Sequence, residues 1–120
     1  MIWNYFHDSQ PNRTVFFRRP LRAVIHLASD FQSLSMLKPT KGDGYTVNLS
    51  MKGCCIDSDV PVQVGMCLSL CMELSDQTSS PLFIPVAQVR WVDANNFGLE
   101  FIKMAEPDRV RLQQFVWEHV

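Results

Sequence analysis

Three absences limit what this sequence can be. No stretch reaches the ~18 uninterrupted apolar residues that a membrane-spanning helix needs, and residues 1–17 lack the charged start and continuous apolar core of a secretory signal. The net charge is only −1, from 11 basic and 12 acidic residues, which excludes the strongly basic domains that coat a nucleic acid through many phosphates. We therefore expect a cytoplasmic protein that neither inserts into membranes nor binds a nucleic-acid polymer.

Motifs for catalysis and metal binding are also missing. The three histidines are far apart, and none lies in a recognisable nucleophile or metal motif. The four cysteines lack the Cys-x-x-Cys spacing of a metal or redox site. Cys67 and Cys71 would lie about 13 Å apart on one strand face, and the adjacent Cys54 and Cys55 would point to opposite faces. We therefore expect free thiols, no metal, no cofactor and no catalytic activity.

Length and composition predict one globular domain. The chain has 120 residues, of which 47% are hydrophobic and 19% are charged, enough apolar side chains for a core and too few charges for a disordered chain. Several short segments alternate apolar and polar residues between turn signals, which is typical of an antiparallel β-sheet. The clearest alternation places five apolar residues on one face: Met66, Leu68, Leu70, Met72 and Leu74.

The remaining segments predict turns, a hairpin and a helix. Strands over residues 82–92 and 97–101 are joined by a turn, and residues 38–44 carry a second turn signal with proline and glycine. Pro107 suits the first position of a helix. Four residues then share a helix face: Leu112, Phe115, Val116 and His119. The pattern predicts a mainly β fold, a small antiparallel barrel of six or seven strands with a helix packed on it.

Two groups of polar residues stand apart from this core pattern. Arg18 and Arg22 precede the first apolar strand, and each guanidinium can grip a phosphate bidentately or stack on a flat base. Asn48 and Ser50 lie in a segment that we interpret as a turn-like strand break, and Gly53 permits a positive φ or a close ligand approach. Taken singly, a cluster of arginines is more often a solvated surface. An Asn-x-Ser segment or a following glycine is more often part of an ordinary turn. Together they are the parts of a pocket for a phosphate-bearing ligand with planar bases.

The two groups also form known motifs. RRPLR, residues 18–22, is an Arg-x-x-x-Arg motif, and NLSMKG, residues 48–53, is an [Asp/Asn]-x-Ser-x-x-Gly motif. In this order they resemble the motifs of the PilZ domain, the bacterial receptor module for cyclic di-GMP. The segments VRWVDANNFGLEF and RVRLQQFVWEHV are similar to the late hairpin and C-terminal helix of that family, so the resemblance covers residues 18–119. It implies a six-stranded antiparallel PilZ-type β-barrel with a C-terminal α-helix and cyclic di-GMP on its outer surface.

The resemblance implies a role for each motif residue. Arg18 and Arg22 would hold phosphates and stack on or bond to guanine. Asn48 would bond a guanine edge, Ser50 would reach a phosphate or a base, and Gly53 would allow the close approach. Because Asn48 stands where Asp is common, its hydrogen bond lacks charge assistance, and we expect equal or weaker binding.

Three neighbouring residues complete the predicted site. Arg19, inside the first motif, can also contribute to ligand binding. Trp91, in the late hairpin, is expected in the barrel core or at its rim, next to the ligand. The residue before the first motif is Phe17, where an extra arginine in the family is associated with capture of a stacked ligand dimer. We therefore expect one ligand per chain.

The predicted organisation is a flexible N-terminal arm over residues 1–17 and a PilZ domain over residues 18–120. In the leading hypothesis the protein is a non-catalytic cyclic di-GMP receptor, a monomer or weak dimer. Ligand binding would order the arm and change a surface for an unidentified protein partner. The alternative is a ligand-independent PilZ-like adaptor in pilus or flagellar regulation, although such family members usually lack the arginines. A barrel that binds RNA or single-stranded DNA is disfavoured by the net charge and by the lack of interleaved basic and aromatic residues.

Overall fold

The computed structural model describes residues 13–27, 41–75 and 80–119 as a closed barrel with one helix. The elements are β1 (Val15–Leu27), β2 (Lys41–Leu49), β3 (Gly53–Asp57), β4 (Cys67–Met72), β5 (Leu82–Asp93), β6 (Asn96–Lys103) and α1 (Glu106–His119). All pairings are antiparallel, in the order β1–β2–β3–β6–β5–β4, and β4 pairs with β1 to close the barrel. The predicted six-stranded antiparallel barrel with a C-terminal helix is confirmed.

Alternation along the strands builds the core inside the barrel. In β4, Leu68, Leu70 and Met72 are buried, whereas Cys67 is exposed and Cys71 is half-buried. This is the face that the sequence pattern predicts, because successive side chains of a strand point to opposite faces. The other strands complete the core with Val15, Ala23, Ile25, Leu49, Cys54, Ile56, Leu82, Ile84, Ala87, Val89, Phe97 and Leu99.

The helix packs one apolar face against the barrel. Leu112, Phe115 and Val116 of α1 are buried, as their spacing predicts, whereas His119, the fourth residue of the predicted face, is exposed. The Phe115 ring lies 6.1 Å from the ring of Phe17 on β1 and 4.0 Å from the ring of His119, measured between centroids. The helix therefore contacts β1 at the residue that directly precedes the arginine motif. No helix in the described ranges is long and apolar enough to span a bilayer.

Two predicted boundaries differ from the structure. β1 begins at Val15 and runs to Leu27, so residues 15–17 of the predicted arm belong to the barrel. The predicted turn at 38–44 is wrong for residues 41–44, which belong to β2. A Cβ on Gly44 would lie 2.8 Å from Cβ of Ser58, so this glycine serves close packing within a strand and not a turn. Residues 1–12 of the predicted arm and residues 38–40 of the predicted turn lie outside the described residues.

Two adjacent thiols of β3 are buried on opposite faces. Burial raises the pKa of Cys54 well above its usual value, and the neighbouring Cys55 adds to the shift. Burial also raises the pKa of Cys55 to about 11, with a further contribution from the Asp57 carboxylate. Both cysteines therefore stay protonated in the folded protein at pH values where an exposed thiol ionises.

We expect this difference to appear as a loss of stability at alkaline pH. The unfolded chain releases its thiol protons near pH ~8.5, whereas folded Cys55 holds its proton until about pH 11. The free energy of unfolding is therefore unaffected below pH ~8.5 and falls as the pH rises towards 11. In urea titrations the wild-type protein should lose on the order of 2 to 3 kcal/mol more over this range than Cys55→Ala does. The exposed Cys67→Ala should follow the wild type, and equal slopes in wild type and Cys55→Ala would contradict the prediction.

Candidate functional site

A large bulge in β1 presents the arginine motif. Phe16 pairs with Asn48 and Leu21 pairs with Thr46, so residues 17–20 of β1 stand opposite the single residue Val47 of β2. A bulge leaves its extra residues outside the ladder and re-aims their side chains. Pro20, which has no N–H to donate, is tolerated at such a place. We call residues 17–20 the arginine bulge, because it carries Arg18 and Arg19, both exposed.

The pairing of β2 with β3 also shifts its register at Val47. Thr46 pairs with Ile56 and Asn48 pairs with Cys55, which leaves Val47 as an extra residue on β2. In a regular strand Thr46 and Asn48, two residues apart, would point to the same face. Thr46 instead pairs with a core residue, whereas Asn48 pairs with the cysteine on the outer face of β3. The bulge therefore turns the amide of Asn48 outward.

Asn48 belongs to a row of cross-strand partners on the outside of the barrel. We call this the outer row; it crosses β1, β2, β3, β6 and β5 through Phe16, Asn48, Cys55, Gly98 and Trp91. Although these residues face away from the core, Asn48 and Cys55 are each only 6% exposed. The centre of the row is thus a covered polar position on an outer surface.

The indole of Trp91 lies directly over Gly98. A Cβ on Gly98 would be 2.0 Å from Nε1 of Trp91, so only glycine allows the ring this close to the β6 backbone. Nε1 of Trp91 and Oδ1 of Asn48 are both buried, and neither has a hydrogen-bond partner within the described part of the chain. An unpaired buried donor and acceptor cost free energy in the free protein. The outer row therefore holds one covered donor and one covered acceptor that the described part of the chain leaves unpaired.

Arg22 lies beside the outer row and not on it. It pairs with Tyr45 on β2, and its Nη2 lies 3.4 Å from Oδ1 of Asp43. Both side chains of this ion pair are more than half exposed, and such pairs contribute only about 0–1 kcal/mol. A phosphate could therefore take the place of Asp43 at little cost.

Ser50 and Gly53 form the turn that connects β2 to β3. The Ser50 hydroxyl accepts hydrogen bonds from the backbone N–H of Lys52 at 3.2 Å and of Gly53 at 3.3 Å, and it is fully buried. The Ser50 N–H donates to the Gly53 carbonyl at 2.8 Å. These bonds give Ser50 a structural role in the turn, while its predicted contact with a ligand stays a prediction. The described residues with positive φ are Gly65 and Ala94, so a positive φ is not the reason for Gly53, and its predicted close approach to a ligand stays a prediction.

The structure adds residues that the sequence did not indicate. Cys55 and Gly98 form the middle of the outer row, and Glu100 pairs with Gly53 across β3 and β6. Arg90 donates from Nε to Oε1 of Glu100 at 2.7 Å, an ion pair that holds β5 and β6 together beside the Ser50 turn. Strand alternation places Gly98 and Glu100 on one face of β6, but only the barrel order shows that this face adjoins the second motif.

The described residues contain no metal site. In the ranges 13–27, 41–75 and 80–119, no three His, Cys, Asp or Glu side chains lie close enough to hold one ion. The four cysteines are free thiols.

Comparisons with known proteins agree with the fold. The family model described as PilZ domain matches residues 12–118 of this chain. The Bacillus subtilis inhibitor of motility (MotI/DgrA) aligns with a TM-score of 0.67 and 18% identity, over 92% of this chain and 51% of its own. The PilZ domain of CeSA from a cellulose-synthesizing bacterium aligns with a TM-score of 0.61 and 10% identity, over 88% of this chain and 96% of its own. This chain thus spans about half the length of the motility inhibitor. No curated protein sequence matches it.

We expect Gly98→Ala to destabilise the protein through Trp91. The added methyl group would collide with the indole, and overpacking of this kind costs about 1–3 kcal/mol. Urea unfolding of Gly98→Ala, Trp91→Ala and the double variant measures the coupling. In the Trp91→Ala background the cost of Gly98→Ala should largely disappear. An equal cost in both backgrounds would show that the contact with Trp91 is not the cause.

We expect Ser50→Ala to weaken the folded protein even without ligand. The substitution leaves the N–H groups of Lys52 and Gly53 without their acceptor, which costs about 1–3 kcal/mol for a buried group. Thermal unfolding is the measurement, with the exposed Ser80→Ala as the control. A Ser50→Ala protein as stable as the wild type would contradict the structural role.

Proposed function

Since the PilZ family model matches residues 12–118, this chain belongs to the PilZ domain family, and from this membership we propose that it is a cyclic di-GMP receptor. PilZ domains are typically receptor or effector modules for this dinucleotide. The observation that carries the proposal is the meeting of the two motifs on one face of the barrel. The arginine bulge directly follows Phe16, and Phe16 pairs with Asn48.

The charges near the outer row match a ligand with two phosphates. Arg18 and Arg19 are exposed in the arginine bulge, and Arg22 is exposed on the same strand. An arginine bound to a phosphate forms charge-assisted, often bidentate hydrogen bonds. A cluster of three cations within five residues therefore favours a small dianion.

The uncharged groups of the outer row match a guanine base. Oδ1 of Asn48 is a buried acceptor without a partner, and guanine presents N–H donors along one edge. Nε1 of Trp91 is a buried donor that also has no partner among the described residues. It would donate to a carbonyl oxygen, ring nitrogen or phosphate oxygen of the ligand. Both atoms are covered in the free protein, so we propose that neighbouring side chains move on binding and that each atom then gains a hydrogen bond.

Phe17 connects the arginine bulge to the helix, which suggests how ligand binding could change a surface that a partner protein contacts. It lies in the arginine bulge, and its ring contacts Phe115 of α1 at a centroid distance of 6.1 Å. A bulge that moves towards bound phosphates would also move this contact with the helix. We propose that binding fixes the residues before β1 against the barrel and changes the surface offered to an unidentified protein partner. The protein acts in the cytoplasm without a catalytic step or a cofactor, as a monomer or weak dimer that binds one ligand per chain.

The second candidate is a ligand-independent adaptor of pilus or flagellar regulation. The observation that favours it is the outer face of α1, where Val110 is 49% exposed and Trp117 is 60% exposed. Large apolar side chains at the surface are typical of interaction sites. This function predicts partner binding that does not depend on the nucleotide.

Titration calorimetry with cyclic di-GMP separates the two functions. We expect saturable binding to the wild type, with Arg22→Ala and Asn48→Ala each weakening it roughly tenfold or more, because each removes a hydrogen bond to a buried or charged group. Asn48→Asp should bind equally or more tightly, since the carboxylate adds charge assistance.

Arg109→Ala is the matched control, because Arg109 is an exposed cation on α1. It should bind the ligand as the wild type does. No heat at high micromolar ligand, or an affinity that Arg22→Ala leaves unchanged, would contradict the receptor function.

A further inference from the structure

Phe16 is an exposed aromatic residue that belongs to neither motif. Its side chain is 70% exposed, the highest value among the large apolar side chains of the described residues. A phenylalanine that stays in water forgoes the free energy that burial of its ring would contribute. Single exposed apolar residues are common at protein surfaces, so the neighbours of this ring decide what it can bind.

The register fixes where this ring stands. Val15 is buried and pairs with Leu49 in the core, so the next residue, Phe16, faces outward. Its partner is Asn48, whose side chain is only 6% exposed and whose Oδ1 has no hydrogen-bond partner among the described residues. Arg18 follows two residues later in the arginine bulge. Phe16 thus lies between a hydrogen-bond acceptor and a cation.

We propose that Phe16 stacks on the guanine base whose edge donates to Asn48. This inference rests on the proposed function and adds a ligand-binding residue outside both motifs. Every nucleobase has a π face, and an exposed aromatic ring beside a hydrogen-bonding group holds that face while the group reads the edge. Arg18 then meets the phosphate attached to the same nucleotide.

Trp91 cannot take this role for the same base. Its indole lies over Gly98 on β6, three strand spacings from Phe16, which is roughly 14 Å along the surface. A base held between two rings needs them within about 7 Å. The two aromatic residues therefore serve different parts of the ligand, which suits a molecule with two bases.

Calorimetry of Phe16 variants tests the stacking. Phe16→Ala should weaken cyclic di-GMP binding roughly fivefold to a hundredfold, the usual range for loss of one aromatic platform under a base. Phe16→Tyr should bind as the wild type does, because it keeps the ring. Phe16→Leu should bind as weakly as Phe16→Ala, because it keeps apolar volume without a π face.

Phe83→Ala is the matched control. Phe83 is 45% exposed, and it pairs with Cys71 across β4 and β5, away from the outer row. Its substitution should leave the affinity unchanged. Thermal unfolding should show the stability of wild type for all Phe16 variants, because an exposed ring contributes little to the core.

Nuclear Overhauser effects between the labelled phenylalanine rings and guanine H8 give a second readout. A cross-peak that is absent in Phe16→Leu and kept in Phe83→Ala supports stacking. Wild-type binding that Phe16→Ala leaves unchanged would overturn this inference while the proposed function stands. Full rescue by Phe16→Leu would also overturn it, since apolar contact alone would then suffice. Absence of binding by the wild type would overturn the proposed function, and this inference with it.

Discussion

The candidate site depends on a mismatch of register at Val47. β2 pairs with β1 on one side and with β3 on the other, and both pairings shift at this residue. The shift against β3 turns Asn48 outward, while the shift against β1 leaves the arginine bulge outside the ladder. One irregular position in one strand therefore aims both motifs. Bulges are common beside functional sites because they change the direction of a side chain without breaking the sheet.

The core on the inside of the barrel holds this arrangement in place. Val15, Leu49, Cys54, Leu99 and Val89 pair in sequence across the same five strands and are buried. They form an inner row next to the outer row. Each inner residue lies one position along the strand from its outer neighbour, or two positions on β5. A slip of one residue in any of these strands would expose a core residue. The free energy of core burial thus fixes the position of the outer residues.

Sequence patterns predicted the parts of this protein that depend on local periodicity. The inward face of β4 and the buried face of α1 follow from spacings of two and of three or four residues, and both are confirmed. The bulges could not be predicted, because they arise from the pairing of strands that are distant in the sequence. For this reason Asn48 looked like part of a turn, although it lies in β2. Cys55 and Gly98 were not assigned to the site for the same reason, since only the strand order brings them beside Asn48.

The near-zero net charge conceals an uneven distribution of charged residues over the barrel surface. Beside the outer row runs a parallel set of outward residues in which Asp57 and Asp93 are exposed. The cations of the arginine bulge lie at the other end, on β1. A polyanion lying across this surface would meet carboxylates within a few strands, and its phosphates would be repelled there. A short ligand could instead place its phosphates on the arginines and turn only uncharged base edges towards the rest of the surface. For the proposed receptor function, this arrangement of charges favours a short dianion over a polymer.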